Sequence, residues 1–258
     1  GISMYRHWRI FFGGIVLGGL LVWGGVRAQH EDLTYGLIAY WNFDEGRGLD
    51  IHDLSGHSHH GKLRGPAWWA RGYVRGGVQL NGLDDAVEIS PSSLLMQEQA
   101  VTIAAWIYIL QEGRQVNSWL GERYRLVIGW SLDARFVAFL DGQWRASGSF
   151  VIPANTWVHI VGTYDAQARI LRLYVNGELK KEQALSGLNS YKIVQAPLPL
   201  RFTQDSRQPP DNRIWRIDEV RIYSRALSPS EVQTLSQFVP PRFNPSDPDP
   251  LPRHTENP

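Results

Sequence analysis

The sequence predicts an all-β fold in which two antiparallel sheets pack face to face, with one N-terminal transmembrane-type helix and one short C-terminal helix. Three observations predict the sandwich. Runs rich in β-branched and aromatic residues recur from Leu37 onward, separated by turn residues and not by helical patterns. Asp141-Gly142 and Asn176-Gly177 supply the positive φ angles of two-residue hairpin turns. The 11 tryptophans and only 2 methionines favour a rigid core of flat rings.

The N-terminal segment, residues 1–28, is typical of an export signal. Ile10 to Val26 is an apolar run without charge, preceded by basic residues and followed by small residues before Gln29. As a helix it spans about 25 Å, slightly less than a bilayer core of about 30 Å, so both cleavage and retention as a membrane anchor stay open. Basic residues before the run predict a cytoplasmic N-terminus and an extracytoplasmic domain, on the periplasmic or cell-surface side.

The apolar segment contains three glycines at a helical spacing. Gly14, Gly18 and Gly25 share one face of a helix, and such a face allows close approach of another membrane helix. Glycine is also common in export signals, so the packing face is one of two interpretations. If the segment is retained as an anchor, we expect its helix to contact the lipid bilayer.

The exported part divides into a linker at 29–36, a β-sandwich at 37–239 and a Pro-rich extended tail at 240–258. The predicted strands are Val101–Ile109, Tyr124–Trp130, Phe136–Leu140, Trp157–Tyr164, Ile170–Val175, Leu198–Phe202 and Ile214–Tyr223. Ser228-Pro-Ser-Glu231 predicts a helix start, with serine as N-cap, proline at the first position and glutamate three residues after the cap. The tail contains seven prolines and cannot build a core alone.

Composition excludes some functions. The formal net charge is +1 with acids and bases interspersed, so no basic surface for nucleic acid is visible, and we exclude nucleic acid as a partner. The chain has no cysteine, which excludes a disulfide framework and cysteine metal sites.

Six segments occur in a characteristic order. They are Ala39–Gly46, Asp53–Gly61, Val78–Val87, Trp157–Asp165, Leu173–Gly177 and Ile217–Tyr223. The series resembles the laminin-G-like and pentraxin-type branch of the concanavalin A-like lectin/glucanase superfamily. The resemblance implies a jelly-roll sandwich that binds a ligand or a partner and seldom catalyses a reaction.

No catalytic carboxylate strand is evident. Retaining glycosidases need two carboxyl groups about 5 Å apart, which alternate positions of one strand provide. The nearest groups are the adjacent pairs Asp44-Glu45, Asp84-Asp85 and Asp218-Glu219. Adjacent strand residues point to opposite faces of a sheet, so we predict that the protein is not an enzyme.

Calcium is the metal that the resemblance implies. In the family, the turn that Asp53 opens meets the aspartate of the Ile-Asp-Glu-Val strand, here Asp218, and calcium prefers such oxygen ligands. The alternative makes Asp53 a turn-capping residue and Asp218 a partner of Arg216 or Arg221.

Candidate contact residues are aromatic side chains and histidines. Trp68, Trp69 and Trp144 are candidates for stacking on sugar rings, with Trp144 expected near a hairpin tip. His57 and His59 lie in a Gly-bounded polar turn that could contact a partner. Trp41, Trp106 and Trp157 are expected in the core.

Two functions remain open from the sequence. The first is a membrane-anchored structural subunit that docks on partner proteins of a larger membrane complex. The alternative is an exported, calcium-dependent, lectin-like module that binds glycans. We favour the first, because of the apolar N-terminal helix, its glycine face and the Pro-rich tail; fold resemblance alone does not establish a ligand.

Overall fold

A computed structural model describes residues 32–82, 84–110, 117–205 and 213–238. The export-type segment with Gly14, Gly18 and Gly25, and the Pro-rich tail, lie outside the described residues. Within the described ranges, no helix has the length and apolar character needed to cross a membrane. The sandwich belongs to a compact unit that begins at Thr34.

The described elements are strands, with one 3₁₀ turn at Ser93–Leu95 and one α-helix. The first nine strands are β1 (Leu37–Trp41), β2 (Asp50–Ile51), β3 (Gly61–Arg64), β4 (Trp68–Arg71), β5 (Gly76–Leu80), β6 (Ala86–Ile89), β7 (Ala100–Ile109), β8 (Asn117–Gly121) and β9 (Tyr124–Ile128). The others are β10 (Asp133–Leu140), β11 (Gln143–Ala146), β12 (Phe150–Val151), β13 (Trp157–Asp165), β14 (Ile170–Val175), β15 (Glu178–Ala184), β16 (Leu200–Asp205) and β17 (Trp215–Tyr223). Helix α1 is Pro229–Gln237.

These strands form two antiparallel sheets, which confirms the predicted sandwich. Sheet 1 has the order β15-β14-β13-β7-β17-β5-β4, with β1 also paired to β17. Sheet 2 has the order β11-β10-β9-β8-β16-β6-β3-β2, with β12 also paired to β10. Some neighbouring strands of sheet 2, such as β16 and β6, are far apart in the sequence, so the sandwich is not a simple meander.

Both predicted hairpin turns are present. Asp141 and Gly142 have φ angles of 50° and 80°, and they connect β10 to β11. Asn176 and Gly177 have φ angles of 51° and 82°, and they connect β14 to β15. Both turns therefore have the left-handed backbone that suits a two-residue hairpin.

The core lies between the sheets and is rich in aromatic rings. Trp41 of β1 meets Phe202 of β16 edge to face, with ring centroids 5.5 Å apart, and Phe43 meets the same ring at 6.4 Å. Trp41 and Trp215 are completely buried. Trp41 therefore lies in the core, as expected.

The predicted C-terminal helix begins with a complete capping box. The Ser228 side chain accepts a hydrogen bond from the Glu231 amide, and the Glu231 carboxylate accepts one from the Ser228 amide. Val232 and Leu235 are its buried residues. Just before the helix, the Leu227 amide donates to the Thr102 hydroxyl, which places this segment against the outer face of sheet 1 at one end of β7.

Candidate functional site

The outer face of sheet 1 carries a continuous row of aromatic and polar side chains away from the Thr102 end. The residues of β7 alternate, so Trp106 and Tyr108 face outward while Ile107 and Ile109 join the core. At the level of Tyr108 the strand register aligns Trp157, Tyr108, Arg216, Gln79 and Trp68 on β13, β7, β17, β5 and β4. We call these five residues the aromatic row.

The members of the aromatic row contact one another. The rings of Tyr108 and Trp157 have centroids 5.5 Å apart. The Arg216 Nε donates to the Gln79 Oε1 at 3.0 Å, which fixes both polar side chains. Trp68 is 47% exposed at the edge strand, so the indole is open to a ligand. The row crosses five strands, a span of about 19 Å at about 4.8 Å per strand.

Tyr73 adds a further ring beside the row. It lies in the loop between β4 and β5, is 38% exposed and stacks on Trp106, with centroids 3.6 Å apart and ring planes 12° apart. Its edge also meets Trp157 at 6.3 Å. The adjacent Val74 amide donates to the Asp218 carboxylate at 2.9 Å, which holds the loop against sheet 1.

Asp218 and Glu219 lie buried beneath this loop. We expected their side chains on opposite faces of the strand, and the structure corrects this expectation. The register of β17 shifts between Asp218 and Arg221, and Glu219 has a φ of 51°, so strict alternation fails at this bulge. Burial, followed by the charge of Glu219, raises the pKa of Asp218 well above its usual range. Both side chains are inaccessible to a substrate.

Arginine and tyrosine partners compensate the Glu219 carboxylate. Arg221 Nη2 lies 2.8 Å from its Oε2, and the Tyr40 hydroxyl donates to the same oxygen at 2.6 Å. The sequence alternative that paired Asp218 with Arg216 or Arg221 is therefore wrong in detail, because Arg221 pairs with Glu219 and Arg216 with Gln79. Asp218 instead accepts backbone N–H bonds from Val74 and Glu219.

Asp53 caps the turn that it opens. Its Oδ1 accepts from the amides of Tyr40 and Ser55, and its Oδ2 accepts from the His59 amide and the Ser55 hydroxyl. Burial raises its pKa, but the backbone hydrogen bonds outweigh this effect and leave the pKa below its usual range.

These donors fit a turn cap better than a calcium ligand. N–H and O–H groups occupy the directions from which a cation would approach the Asp53 oxygens. In the described part of the chain, no group of three or more acidic or histidine side chains is arranged to hold a metal ion. The calcium site at Asp53 and Asp218 stays a prediction.

We expect Asp53→Asn to lower the free energy of unfolding by about 2 kcal/mol, because an amide N–H would then face the His59 amide. Because a turn cap needs no metal, we expect the same loss in the free energy of unfolding in calcium and in a chelator. Thermal and urea unfolding of the full chain in both buffers measures it. Wild-type stability that rises with calcium, and a variant that loses the rise, would instead establish the metal site.

Two predicted contact residues are buried and are corrected to structural roles. Trp69 is 2% exposed, and its Nε1 donates to the Gly48 carbonyl at 2.9 Å, so no ring face is open. His59 is buried with its Nδ1 2.8 Å from the Ile38 carbonyl and its Nε2 2.9 Å from the Ser92 hydroxyl. His57 is exposed on the same turn, and its contact role stays a prediction.

Trp144 lies on the outer face of sheet 2, just after the Asp141-Gly142 turn, and is 41% exposed. Its ring meets Phe139 edge to face at 5.3 Å. The Arg125 guanidinium lies over the rings of both Trp144 and Trp119, at 4.6 and 5.0 Å from their centroids. We call Trp144, Arg125 and Trp119 the tryptophan-arginine cluster.

Sequence reasoning placed Trp106 and Trp157 in the core and did not select Tyr108, Tyr73 or Arg216. Trp106 is buried, but it lies on the outer face beneath Tyr73, and Trp157 is partly exposed. Strict alternation along β7 was the signal that could have separated Trp106 and Tyr108 from the core.

The geometry defines a concanavalin A-like β-sandwich whose outer faces carry aromatic surfaces. The family model Laminin_G_3, described as the concanavalin A-like lectin/glucanases superfamily, matches residues 81–233. This match covers more than half of the chain, so the chain belongs to that family. Comparison with curated proteins found no match.

Solved structures show the same fold at low sequence identity. The binding domain of Paraclostridial Mosquitocidal Protein 1 has a TM-score of 0.66 at 18% identity, over 78% of this chain and 52% of that one. The binding domain of botulinum neurotoxin DC in complex with SialylT has 0.64 at 13%, over 79% and 52%. The botulinum neurotoxin serotype D ligand binding domain in complex with N-acetylneuraminic acid has 0.65 at 16%, over 79% and 51%. The match thus spans about half the length of each.

Proposed function

We propose that this chain is a non-catalytic binding module that recognises glycans through the aromatic row. The observation that carries the proposal is the alignment of Trp157, Tyr108 and Trp68 at one level of sheet 1, with Arg216 and Gln79 between them. Flat apolar rings suit the apolar face of a pyranose, and the polar pair suits its hydroxyl groups.

The dimensions of the row support an oligosaccharide ligand. A span of about 19 Å accommodates several sugar units, and the central guanidinium and amide are fixed by their mutual hydrogen bond. Preorganised side chains lose little conformational entropy when a ligand binds. Two proteins of similar fold were solved in complex with SialylT and with N-acetylneuraminic acid, which supports the glycan class by analogy of fold.

A binding role also agrees with the acidic residues near the row. Glycoside hydrolysis needs two accessible carboxyl groups. Asp218 and Glu219, which lie beneath the Tyr73 loop, are at most 2% exposed and cannot reach a glycosidic bond. We therefore assign Asp218 to fixing the loop that presents Tyr73, and Glu219 to its buried contacts with Tyr40 and Arg221.

Docking on a membrane complex, the first function considered from the sequence, depends on residues 1–28 and 240–258. Both segments lie outside the described residues, so docking, the lipid contact and the extracytoplasmic location stay predictions. Calcium dependence of glycan binding stays a prediction as well.

Glycan-array screening of the full chain in mild detergent, followed by calorimetry with the best oligosaccharide, tests the proposal. We expect Trp157→Ala and Trp68→Ala each to weaken binding by about tenfold, since each removes a stacking surface of about 1.4 kcal/mol. Trp130→Ala is the control, because Trp130 is 57% exposed on a turn of sheet 2. An array without a bound glycan, or equal losses in all three variants, would refute the aromatic row as a glycan site.

A further inference from the structure

The tryptophan-arginine cluster lies on sheet 2, opposite to the aromatic row, and has a composition of its own. Arg125 and Val127 share one face of β9, and Val127 pairs with Trp119 of β8. Arg125 pairs with Val137 of β10, which shares a face with Phe139, the partner of Trp144. All three members of the cluster therefore lie on the outer face of sheet 2. Arg125 lies on β9, next to β8, which carries Trp119, and separated by β10 from β11, which carries Trp144. A guanidinium held over two indole rings is restrained in position by cation-π attraction.

Arg125 also differs from neighbouring arginines in its hydrogen bonds. Its Nε donates to the Glu122 carbonyl at 2.6 Å, while Nη1 and Nη2 have no acceptor among the described residues. The neighbouring arginines have carboxylates at ion-pair distance: Arg123 has Glu122 at 3.3 Å without a hydrogen bond between Nε and Oε2, Arg135 has Asp133 at 2.7 Å, and Arg201 has Glu88 at 2.8 Å. Arg125 therefore presents the Nη1 and Nη2 edge of its guanidinium without a carboxylate at ion-pair distance, although the charge of Glu122 acts on it from further away.

We propose that the tryptophan-arginine cluster binds an acidic sugar, with the sugar carboxylate on the Nη1 and Nη2 edge of Arg125 and the sugar ring against Trp144. The planar fork of a guanidinium matches a carboxylate in two parallel hydrogen bonds. The Nε bond to Glu122 and the two indoles hold that fork in place before the ligand arrives. Trp144 has the most open ring of the cluster and lies within reach of the same ligand.

An acidic sugar fits this surface better than an acidic peptide segment. The cluster offers one cation without an ion pair, with aromatic rings on both sides of it, while the arginines around it lie at ion-pair distance from Glu122, Asp133 and Glu88. A single carboxylate on a ring-shaped ligand matches this arrangement. An acidic peptide would gain from a run of free cations, which the described face lacks.

The test compares 3′-sialyllactose with lactose, which lacks the carboxylate, by calorimetry on the full chain. We expect binding of 3′-sialyllactose to exceed that of lactose, to weaken as salt rises, and to fall at least tenfold in Arg125→Gln. Arg125→Lys should also weaken it, because lysine keeps the charge but lacks the fork. The control Arg135→Gln removes an arginine that already has a carboxylate partner, and it should leave binding unchanged.

Several outcomes overturn the proposal. They are equal binding of both sugars, 3′-sialyllactose binding that survives Arg125→Gln, and binding of poly-glutamate that is as tight and insensitive to Trp144→Ala. Circular dichroism melting of each variant shows whether it folds, and Arg125→Lys keeps the test valid if Arg125→Gln does not. The aromatic row is tested separately, because Trp157→Ala should leave carboxylate-dependent binding intact.

Discussion

Replacing Gly162 by alanine is expected to destabilise the protein by about 3 kcal/mol, at the upper end of the usual cost of overpacking. Gly162 lies in the middle of β13, between Ile103 of β7 and Leu173 of β14. A Cβ there would lie 2.1 Å from the Cδ2 and 2.3 Å from the Cγ of Phe136, a completely buried ring of sheet 2. Either the ring leaves its rotamer or the two sheets separate locally, and overpacking of a dense core costs about 1–3 kcal/mol or more.

Urea unfolding of Gly162→Ala measures this loss, and a second substitution tests its cause. Phe136→Leu in the Gly162→Ala background should recover part of the stability, although each change alone is destabilising. The control is Gly142→Asn in the β10–β11 turn. A Cβ at Gly142 would meet nothing within 4 Å, and asparagine tolerates its φ of 80°, so little change is expected. If Gly162→Ala is as stable as the wild type, the proposed contact across the core is wrong.

Local sequence signals predicted the elements whose geometry depends on a few adjacent residues. The left-handed backbone at Asn176 and Gly177 follows from residue type alone. The capping box at Ser228 and Glu231 is likewise fixed within one turn of helix. Strand positions were also predictable, although β16 runs Leu200–Asp205 where Leu198–Phe202 was expected.

The identity of the exposed tryptophans was only partly predictable, because it depends on which face of which sheet is covered. Trp68 and Trp69 are neighbours in sequence, yet alternation puts Trp68 on the outer face and Trp69 in the core. Trp106 also faces outward, and Tyr73 of the distant β4–β5 loop covers its ring. No local pattern around Trp106 indicates a loop that is distant in sequence.

The arrangement of the candidate site could not be predicted from local sequence either. The aromatic row exists because β13, β7, β17, β5 and β4 lie side by side, and that order follows from the tertiary fold. The bulge that brings Asp218 and Glu219 together depends on the register of β17 against β7. By contrast, Trp144 could be predicted as exposed because the turn that presents it is adjacent in sequence.

His159 is expected to make the wild type sensitive to acid. Its side chain is 1% exposed on β13, beside Trp106 at 4.9 Å, and both ring nitrogens are buried without a hydrogen-bond partner. Burial, with a smaller contribution from the Arg221 charge, lowers the pKa of His159 to about 3. Because the folded pKa is depressed, the folded state is not penalised above the ordinary pKa of about 6.5 and loses stability as the pH falls towards 3.

Other buried groups act in the opposite direction, so the wild type alone does not isolate this effect. Burial raises the pKa of both Asp44 and Asp85 to about 6. The stability that these two groups contribute is fully present below about 3.8 and is lost as the pH rises through about 6. Their contribution cancels in the difference between the wild type and a His159 variant, which keeps both aspartates.

We therefore expect His159→Leu to gain stability relative to the wild type by about 3 kcal/mol between pH 7 and pH 4, at 1.36 kcal/mol for each pH unit below 6.5. At pH 7 the variant should be close to the wild type or more stable, since leucine removes two unpartnered polar atoms. Urea unfolding at both pH values measures the difference. His159→Phe differs in volume and shares the loss of the proton, so it should show the same pH-dependent gain. A constant difference between wild type and both variants at the two pH values would mean that His159 is not neutral in the folded protein at pH 4.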